Sequence, residues 1–159
     1  MRNTGRATIP LIIPPLGCLI AFLVSGCMNP GQNTNDMVSG RFIPVDIYVD
    51  PGNHQIAAYQ IEIEDTLMVS SIVGIEGGEH PAFREPPHYD PSAIHNYRII
   101  LASFSLNDTL PLTKTRIATI HLLVDGKVQP GCKIIDCIAA GPDGSPIAVN
   151  ALLVYGEEL

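Results

Sequence analysis

Residues 41–50 read RFIPVDIYVD, and this stretch decides the fold class. Every second residue is a branched aliphatic one, while the residues between them are aromatic, proline or charged. Side chains alternate between the two faces of a β-strand, so this period of two predicts a strand with one buried face. The residues that we expect to face a core are Ile43, Val45, Ile47 and Val49.

The next apolar segment repeats this pattern. Turn-forming DPGNH at 50–54 separates the first strand from QIAAYQIEIE at 55–64. The expected dry face of that second strand holds Ala57, Tyr59, Ile61 and Ile63. Further strands are predicted for VSSIVGI at 69–75, RIILASFS at 98–105, TRIATIHLLV at 115–124, CKIIDCIAA at 132–140 and IAVNALLVY at 147–155.

Two of these strands carry more detailed expectations. Residues 98–105 are apolar enough to predict burial on both faces. In the strand at 115–124 we expect Ile117 to face away from Ala118 and Ile120. No stretch of ten or more residues has a helical period. About seven to nine short strands separated by turn signals predict an all-β, antiparallel β-sandwich.

The amino terminus has the organisation of a secretory signal. Arg2 and Arg6 precede an apolar stretch that ends LGCLIAFLV at 16–24, which is too short for a membrane span of about 20 residues. Val24, Ser25, Gly26 and Cys27 then resemble the bacterial lipobox. That resemblance implies cleavage after residue 26, lipid on the Cys27 thiol, export and anchoring in the cell envelope, at the outer membrane if the host has one.

The segment after Cys27 is polar. Residues 28–40, MNPGQNTNDMVSG, have no apolar period and predict a flexible tether ahead of a folded domain at 41–159. Removal of residues 1–26 would change the formal net charge from −7 to −9, since Arg2 and Arg6 are lost. Such acidity disfavours nucleic acid and anionic lipid as partners, so we expect contact with the membrane through the lipid alone.

Four segments taken together resemble a cohesin-type domain. They are VDIYVDPGNHQIAAYQIEIED at 45–65, SSIVGIEGG at 70–78, RIILASFS at 98–105 and TRIATIHLLV at 115–124. The resemblance implies a jelly-roll β-sandwich related to some carbohydrate-binding modules. It also implies a non-enzymatic binding or scaffolding role, with an exported or surface protein, dockerin-like for example, bound on one sheet face. Polysaccharide is the alternative ligand.

The most unusual stretch is the loop EGGEHPAFREPPHYDPSAIHNY at 76–97. Long loops in compact domains are often functional, so it is the candidate binding loop, with Phe83, His88, Tyr89 and Tyr97 as its candidate residues. We also expect the aromatic rings to pack onto the sandwich. The histidines are too widely spaced to favour a metal site, and no metal ligands are predicted. A structural calcium ion at the loop aspartates stays an open alternative, although each is better explained as a turn former. These aspartates are Asp50, Asp90, Asp108, Asp125 and Asp143.

Catalysis has little support in the sequence. The chain lacks G-x-S-x-G, H-E-x-x-H and P-loop patterns, so we expect no enzymatic activity. A hydrolase using Ser103, Ser105 and His121 is the third alternative. Cys132 and Cys137 lie in one predicted strand, about 16 Å apart on opposite faces, which is too far for a disulfide unless the strand bulges between them. They are predicted to be small apolar fillers.

Overall fold

The computed structural model describes residues 40–156. Residues 1–39 lie outside this part of the chain, and with them the signal peptide, the tether and the lipobox residues Val24, Ser25, Gly26 and Cys27. The described strands are β1 (Arg41–Asp50), β2 (Ala58–Asp65), β3 (Ser70–Gly77), β4 (Arg98–Phe104), β5 (Thr115–Val124), β6 (Cys132–Ala140), β7 (Pro146–Ile147) and β8 (Asn150–Tyr155). Two 3₁₀ turns, Pro81–Phe83 and Pro91–Ala93, lie between β3 and β4.

The strands form two four-stranded sheets. Sheet A has the order β3-β5-β1-β8, and sheet B has the order β4-β2-β6-β7. Every strand pair is antiparallel. The chain crosses from one sheet to the other at each connection except β6 to β7. The all-β sandwich is therefore confirmed, with a strand number inside the predicted range, while its jelly-roll detail stays a prediction.

The core lies between the sheets, where the alternation of β1 and β2 places it. Ile43, Val45, Ile47 and Val49 are at most 2% exposed, and Tyr59, Ile61 and Ile63 line the facing side of sheet B. The Tyr59 hydroxyl donates to the Ile117 carbonyl across the sandwich at 3.2 Å. Packing of two apolar sheet faces is what stabilises a sandwich of this size. Both predicted dry faces are confirmed within the strands, but Ala57 precedes β2 and is half-buried, and Ile56 beside it is fully buried instead.

A bulge in β5 overturns one expectation. The register against β1 shifts between Ile47 and Tyr48, whose partners are Ala118 and Arg116, so Ile117 is the extra residue. Ile117 and Ala118 are both fully buried as a result. The expectation that Ile117 faces away from Ala118 is wrong because a bulge interrupts the period of two.

A second bulge, in β6, changes the placement of the cysteines. Cys132 pairs with Asp65 and Cys137 with Ile61, both inward-facing positions of β2, because the register shifts between Ile63 and Glu62. Both thiols therefore lie on the inner face, half-buried and free. The expectation of opposite faces is wrong, whereas packing against the core agrees with their prediction as apolar fillers.

Strand β4 is buried on one face only. Ile99 and Leu101 are at most 1% exposed, but Ile100 is 45% and Phe104 65% exposed. The prediction of burial on both faces is wrong, because sheet B has no further layer on its outer side among the described residues. The predicted strand at 147–155 is divided as well, since Pro146–Ile147 joins sheet B and Asn150–Tyr155 joins sheet A.

Within residues 40–156, none of the helical segments has the length and hydropathy required to cross a bilayer.

Candidate functional site

The loop at residues 78–97 is attached to the edges of both sheets. At the β4 edge, His88 and Ala102 exchange backbone hydrogen bonds of 2.7 and 2.9 Å. At the β3 edge, the Ile72 N–H donates to the Asn96 carbonyl at 2.9 Å, and the His95 N–H donates to the Ile72 carbonyl at 2.7 Å. The loop is thus a fixed wall along one side of the sandwich, which suits a preformed binding site.

The first half of the loop is an extension of the core. Phe83, in the turn Pro81–Phe83, is 1% exposed and packs edge-on against Tyr59 with ring centroids 5.1 Å apart. Gly77 and Gly78 permit this close packing, because a Cβ on either would collide with backbone, at Arg84 and Arg116 respectively. Phe83 therefore serves packing, and it also borders an open cavity of about 470 Å³ together with His88 and Phe104.

The other candidate loop residues are accessible. His88 is exposed beside β4, while Tyr89 and Tyr97 are 38% and 39% exposed. Their rings do not pack into the core as Phe83 does. The residues that the loop offers to a ligand are therefore His88, Tyr89 and Tyr97.

A groove of about 440 Å³ lies between the second half of the loop and sheet B. We call it the Tyr97 groove. Its volume falls in the range of about 300–1,000 Å³ that is typical of ligand sites. Its lining combines one aromatic ring with charged, amide and aliphatic side chains: Glu64, Asp90, Ala93, Asn96, Tyr97, Arg98, Ile99 and Ile100.

Local hydrogen bonds hold two of its polar side chains in place. Asp90 Oδ1 accepts from the Ser92 N–H at 2.9 Å, and the Asn96 side-chain amide donates to the Ser92 carbonyl at 2.6 Å. The hydrogen bonds from Ser92, first from its backbone and then from its side chain, lower the pKa of Asp90. Asp90 is therefore a fixed carboxylate at neutral pH.

The floor of this groove carries an ion pair. Arg98 pairs with Glu62, its diagonal neighbour on β2. Glu64 lies directly opposite Arg98 on the outer face. Lys133 on β6 also lies directly opposite Glu64. Three carboxylates, Glu62, Glu64 and Asp90, therefore face two cations, and the groove has a small net negative charge.

The outer face of sheet B next to the groove is largely apolar. Ile100, Phe104 and Ile138 are 45%, 65% and 55% exposed. They surround a shallow floor of alanines on three adjacent strands, with the exposed Gln60 at its centre. Leu106, 91% exposed, lies two residues after the end of β4. We call this surface the apolar face; its residues are Ala58, Ile100, Ala102, Phe104, Leu106, Ile138 and Ala140.

The residues of the hydrolase alternative do not come together. Ser103 lies opposite Tyr59 on the inner side of sheet B, and the buried Ser105 accepts from the Asn107 N–H. His121 lies on sheet A, opposite Pro44, with its Nε2 3.0 Å from a Glu76 carboxylate oxygen. Since serine and histidine are in different sheets, this set has no geometry for nucleophilic catalysis.

Among residues 40–156, no three His, Cys, Asp or Glu side chains are grouped so as to hold a metal ion. Asp50, Asp90 and Asp143 each accept from the backbone N–H two residues further on, at 2.9–3.0 Å. These three aspartates are turn formers, as the sequence indicated.

Asp65, which the sequence did not single out, is the main buried polar group. It is 1% exposed, and its two oxygens accept five hydrogen bonds of 2.7–3.1 Å. Burial alone would raise the pKa of Asp65, but these hydrogen bonds outweigh it and hold the pKa below its ordinary value. The donors are the backbone N–H groups of Leu67, Val69, Ser70 and Gly131 and the Ser70 hydroxyl.

No family model, curated protein or solved structure matches this chain. Function must therefore be inferred from the chemistry of its surfaces. Two surfaces qualify, the apolar face of sheet B and the Tyr97 groove, and they meet at Ile100. Sequence reasoning found Tyr97 but missed the rest of the groove, for which the pattern Asp90-Pro91-Ser92 was the only local signal.

Proposed function

We propose that this protein is a non-enzymatic binding module, exported and held to a membrane by lipid on Cys27, that docks a partner protein on the apolar face. The observation that carries the docking proposal is the exposure of Ile100, Phe104 and Ile138 on one sheet face. The cohesin-type resemblance supports it, because a sheet face is the contact surface in that family.

The composition of the apolar face favours a protein partner. Single exposed apolar residues are common on protein surfaces, but a set that spans three adjacent strands, with Gln60 as the polar residue at its centre, marks an interaction site. At one end of the face, Arg98, Glu64 and Lys133 provide a charged rim. An apolar centre with a polar rim is the usual anatomy of a protein–protein interface.

The partner that fits is an exported or surface protein with an apolar contact patch, such as a dockerin-like module. Flat alanines flanked by Phe104 and Ile138 offer area and shape for apolar side chains but few groups that hydrogen-bond. Phe104, the larger of the two exposed side chains, is the expected hot spot, because aromatic anchors contribute most to such contacts.

A photo-crosslinking amino acid at position 104 tests this proposal in cells. Phe42 is the matched control, since it is 48% exposed on the outer face of sheet A. We expect a specific adduct from position 104 and not from position 42. The purified partner should bind the wild-type protein at least about tenfold more tightly than Phe104→Glu, with Phe42→Glu unchanged. Equal adducts at both positions, or equal affinities, would contradict the proposal.

Cys27→Ala tests the membrane anchor. The variant lacks the thiol that would be acylated, so we expect it in the soluble exported fraction, while Cys18→Ala stays with the membrane. Cell fractionation with immunoblotting provides the measurement. A Cys27→Ala protein that sediments with membranes would show that the anchor lies elsewhere.

A further inference from the structure

We propose that the Tyr97 groove binds a neutral saccharide. The groove is separate from the apolar face in chemistry, and this inference does not depend on the proposed docking of a protein. Three features of the groove favour such a ligand: an aromatic ring on a fixed backbone, a set of polar groups that matches sugar hydroxyls, and a charge that disfavours acidic sugars.

The aromatic part is Tyr97. Its ring is 39% exposed and lines the groove, while its backbone carbonyl accepts from the Asp65 N–H at 2.7 Å. Just before it, His95 adopts a positive φ of 69° and bonds to Ile72 on β3. The backbone that carries the ring is thus held at both sheets. A partly exposed ring offers a flat apolar surface at little entropic cost, which suits the C–H face of a pyranose.

The polar part combines acceptors and donors. Asp90 accepts from the Ser92 N–H through Oδ1, and a carboxylate has lone pairs to accept further hydrogen bonds. The Asn96 amide donates to the Ser92 carbonyl and thereby fixes its carbonyl oxygen as an acceptor. Arg98 supplies guanidinium donors at the floor. Sugar hydroxyls both donate and accept, so neighbouring acceptors and donors of this kind can bind vicinal hydroxyls together.

The charge of the groove distinguishes neutral sugars from acidic ones. Glu64 and Asp90 line the groove, while its one cation, Arg98, pairs with Glu62. A uronate or sulfate would meet Glu64 and Asp90, while the two nearby cations already face carboxylates, Arg98 at Glu62 and Lys133 opposite Glu64. A neutral sugar meets the same carboxylates as hydrogen-bond acceptors, and bonds from hydroxyls to charged acceptors are stronger than neutral ones. The groove therefore favours neutral over acidic saccharides.

Binding of the purified full-length protein to an array of neutral and uronate-containing oligosaccharides tests the ligand class. We expect retention of one or more neutral oligosaccharides and none of the uronate-containing ones. The best neutral oligosaccharide is then used in calorimetry. The proposal is overturned if no neutral oligosaccharide binds, or if acidic oligosaccharides bind more tightly.

Substitutions at Tyr97 test the site. We expect Tyr97→Ala to weaken the affinity for that oligosaccharide by about tenfold or more, as removal of an aromatic anchor does. Tyr97→Phe should stay within about threefold of wild type, because it keeps the ring. Tyr48→Ala, on the outer face of sheet A, is the remote aromatic control and should have no effect. Unchanged affinity in a folded Tyr97→Ala protein would overturn the assignment.

Two further variants keep the proposal falsifiable if Tyr97→Ala does not fold. Glu64→Gln removes one carboxylate from an outward-facing position, so we expect it to retain uronate-containing oligosaccharides that the wild type does not retain, with neutral oligosaccharides still bound. If Glu64→Gln retains no uronate-containing oligosaccharide, the electrostatic part of the proposal is refuted. Phe104→Glu should leave the saccharide affinity unchanged. The saccharide proposal and the docking proposal can therefore be refuted independently of each other.

Discussion

Asp65 is the residue on which the ends of several elements depend. Its carboxylate accepts from the turn after β2, from the start of β3 and from Gly131 ahead of β6. Each backbone N–H that it satisfies would otherwise be unpaired at a site that excludes water. A single side chain therefore joins segments far apart in sequence.

Asp65→Ala is expected to destabilise the domain strongly. Loss of five hydrogen bonds leaves several N–H groups without acceptors, for which we expect a fall in the free energy of unfolding of about 3 kcal/mol. Urea unfolding followed by circular dichroism measures it. Asp136→Ala is the matched control, because that exposed carboxylate accepts from the Cys137 N–H alone and should cost less than about 1 kcal/mol. An equal decrease in the free energy of unfolding for Asp65→Ala and Asp136→Ala would contradict the stabilising role of the Asp65 hydrogen bonds.

The two thiols of β6 are expected to react slowly in the native protein. Burial, together with the nearby Asp65 carboxylate, raises the pKa of Cys132 to about 11. Burial and then Asp136 raise the pKa of Cys137. The thiolate is the reactive form, so both residues are protonated at neutral pH. Alkylation mapped by mass spectrometry should be slow at both positions in buffer and fast in urea; rapid native labelling at either would contradict this.

At the scale of elements, the wall formed by residues 78–97 depends on two glycines. A Cβ on Gly77 would collide with the Arg84 carbonyl, which is backbone and cannot rotate away. We expect Gly77→Ala to displace the loop and lower the free energy of unfolding by about 2–3 kcal/mol. Thermal and urea unfolding provide the measurement.

Gly74 is the matched control for that prediction, since it lies in the same strand. A Cβ there would meet the His121 ring at 3.4 Å, which is an ordinary contact. Gly74→Ala should therefore change the stability by less than about 0.5–1 kcal/mol. If Gly74→Ala and Gly77→Ala lower the free energy of unfolding by similar amounts, collision with the loop is not the cause of the Gly77→Ala effect.

The strands could be predicted from sequence because their signal is local. The alternation in residues 41–50 and 55–64 reports which face is buried without knowledge of any partner. The bulges at Ile117 and in β6 could not be predicted, because each exists only relative to the register of a neighbouring strand. For that reason the faces of Ile117 and of the cysteine pair were predicted incorrectly.

The candidate site was predictable only in part, for a related reason. Tyr97 stands out in the sequence as an aromatic residue in a long loop, and the structure leaves its ring accessible. Glu64 and Arg98 join it only because β2 and β4 pair in one register. Exposure of Ile100 and Phe104 depends on how many layers the fold has, which an apolar run of residues does not reveal.

At the scale of the whole molecule, acid is expected to destabilise the domain. Hydrogen bonds lower the pKa values of Asp65, Asp90 and Asp143. A carboxyl whose pKa is lower in the folded state stabilises that state above its unfolded pKa of about 3.9, and the contribution is lost as pH falls through the folded pKa. Relief of repulsion in this acidic chain acts in the opposite direction, but it is screened at physiological salt.

We therefore expect the free energy of unfolding to decrease as pH falls below about 4. Asp65→Asn should reduce that slope, since it removes the buried carboxyl, whereas Asp108→Asn, in an exposed loop, should not. Urea unfolding at a series of pH values provides the comparison. An identical pH dependence in wild type and Asp65→Asn would contradict the assignment.

The crossing of the chain between the sheets determines when the domain can be completed. Among the described strands, only β6 and the two-residue β7 are consecutive strands that pair, and β1 pairs with β5 and with β8. A chain that leaves the ribosome or a translocation pore amino end first cannot finish sheet A until β8 has emerged. Until then the edge of β1 that β8 covers has no partner, so a chaperone that binds exposed strand edges can act on β1 until β8 has emerged.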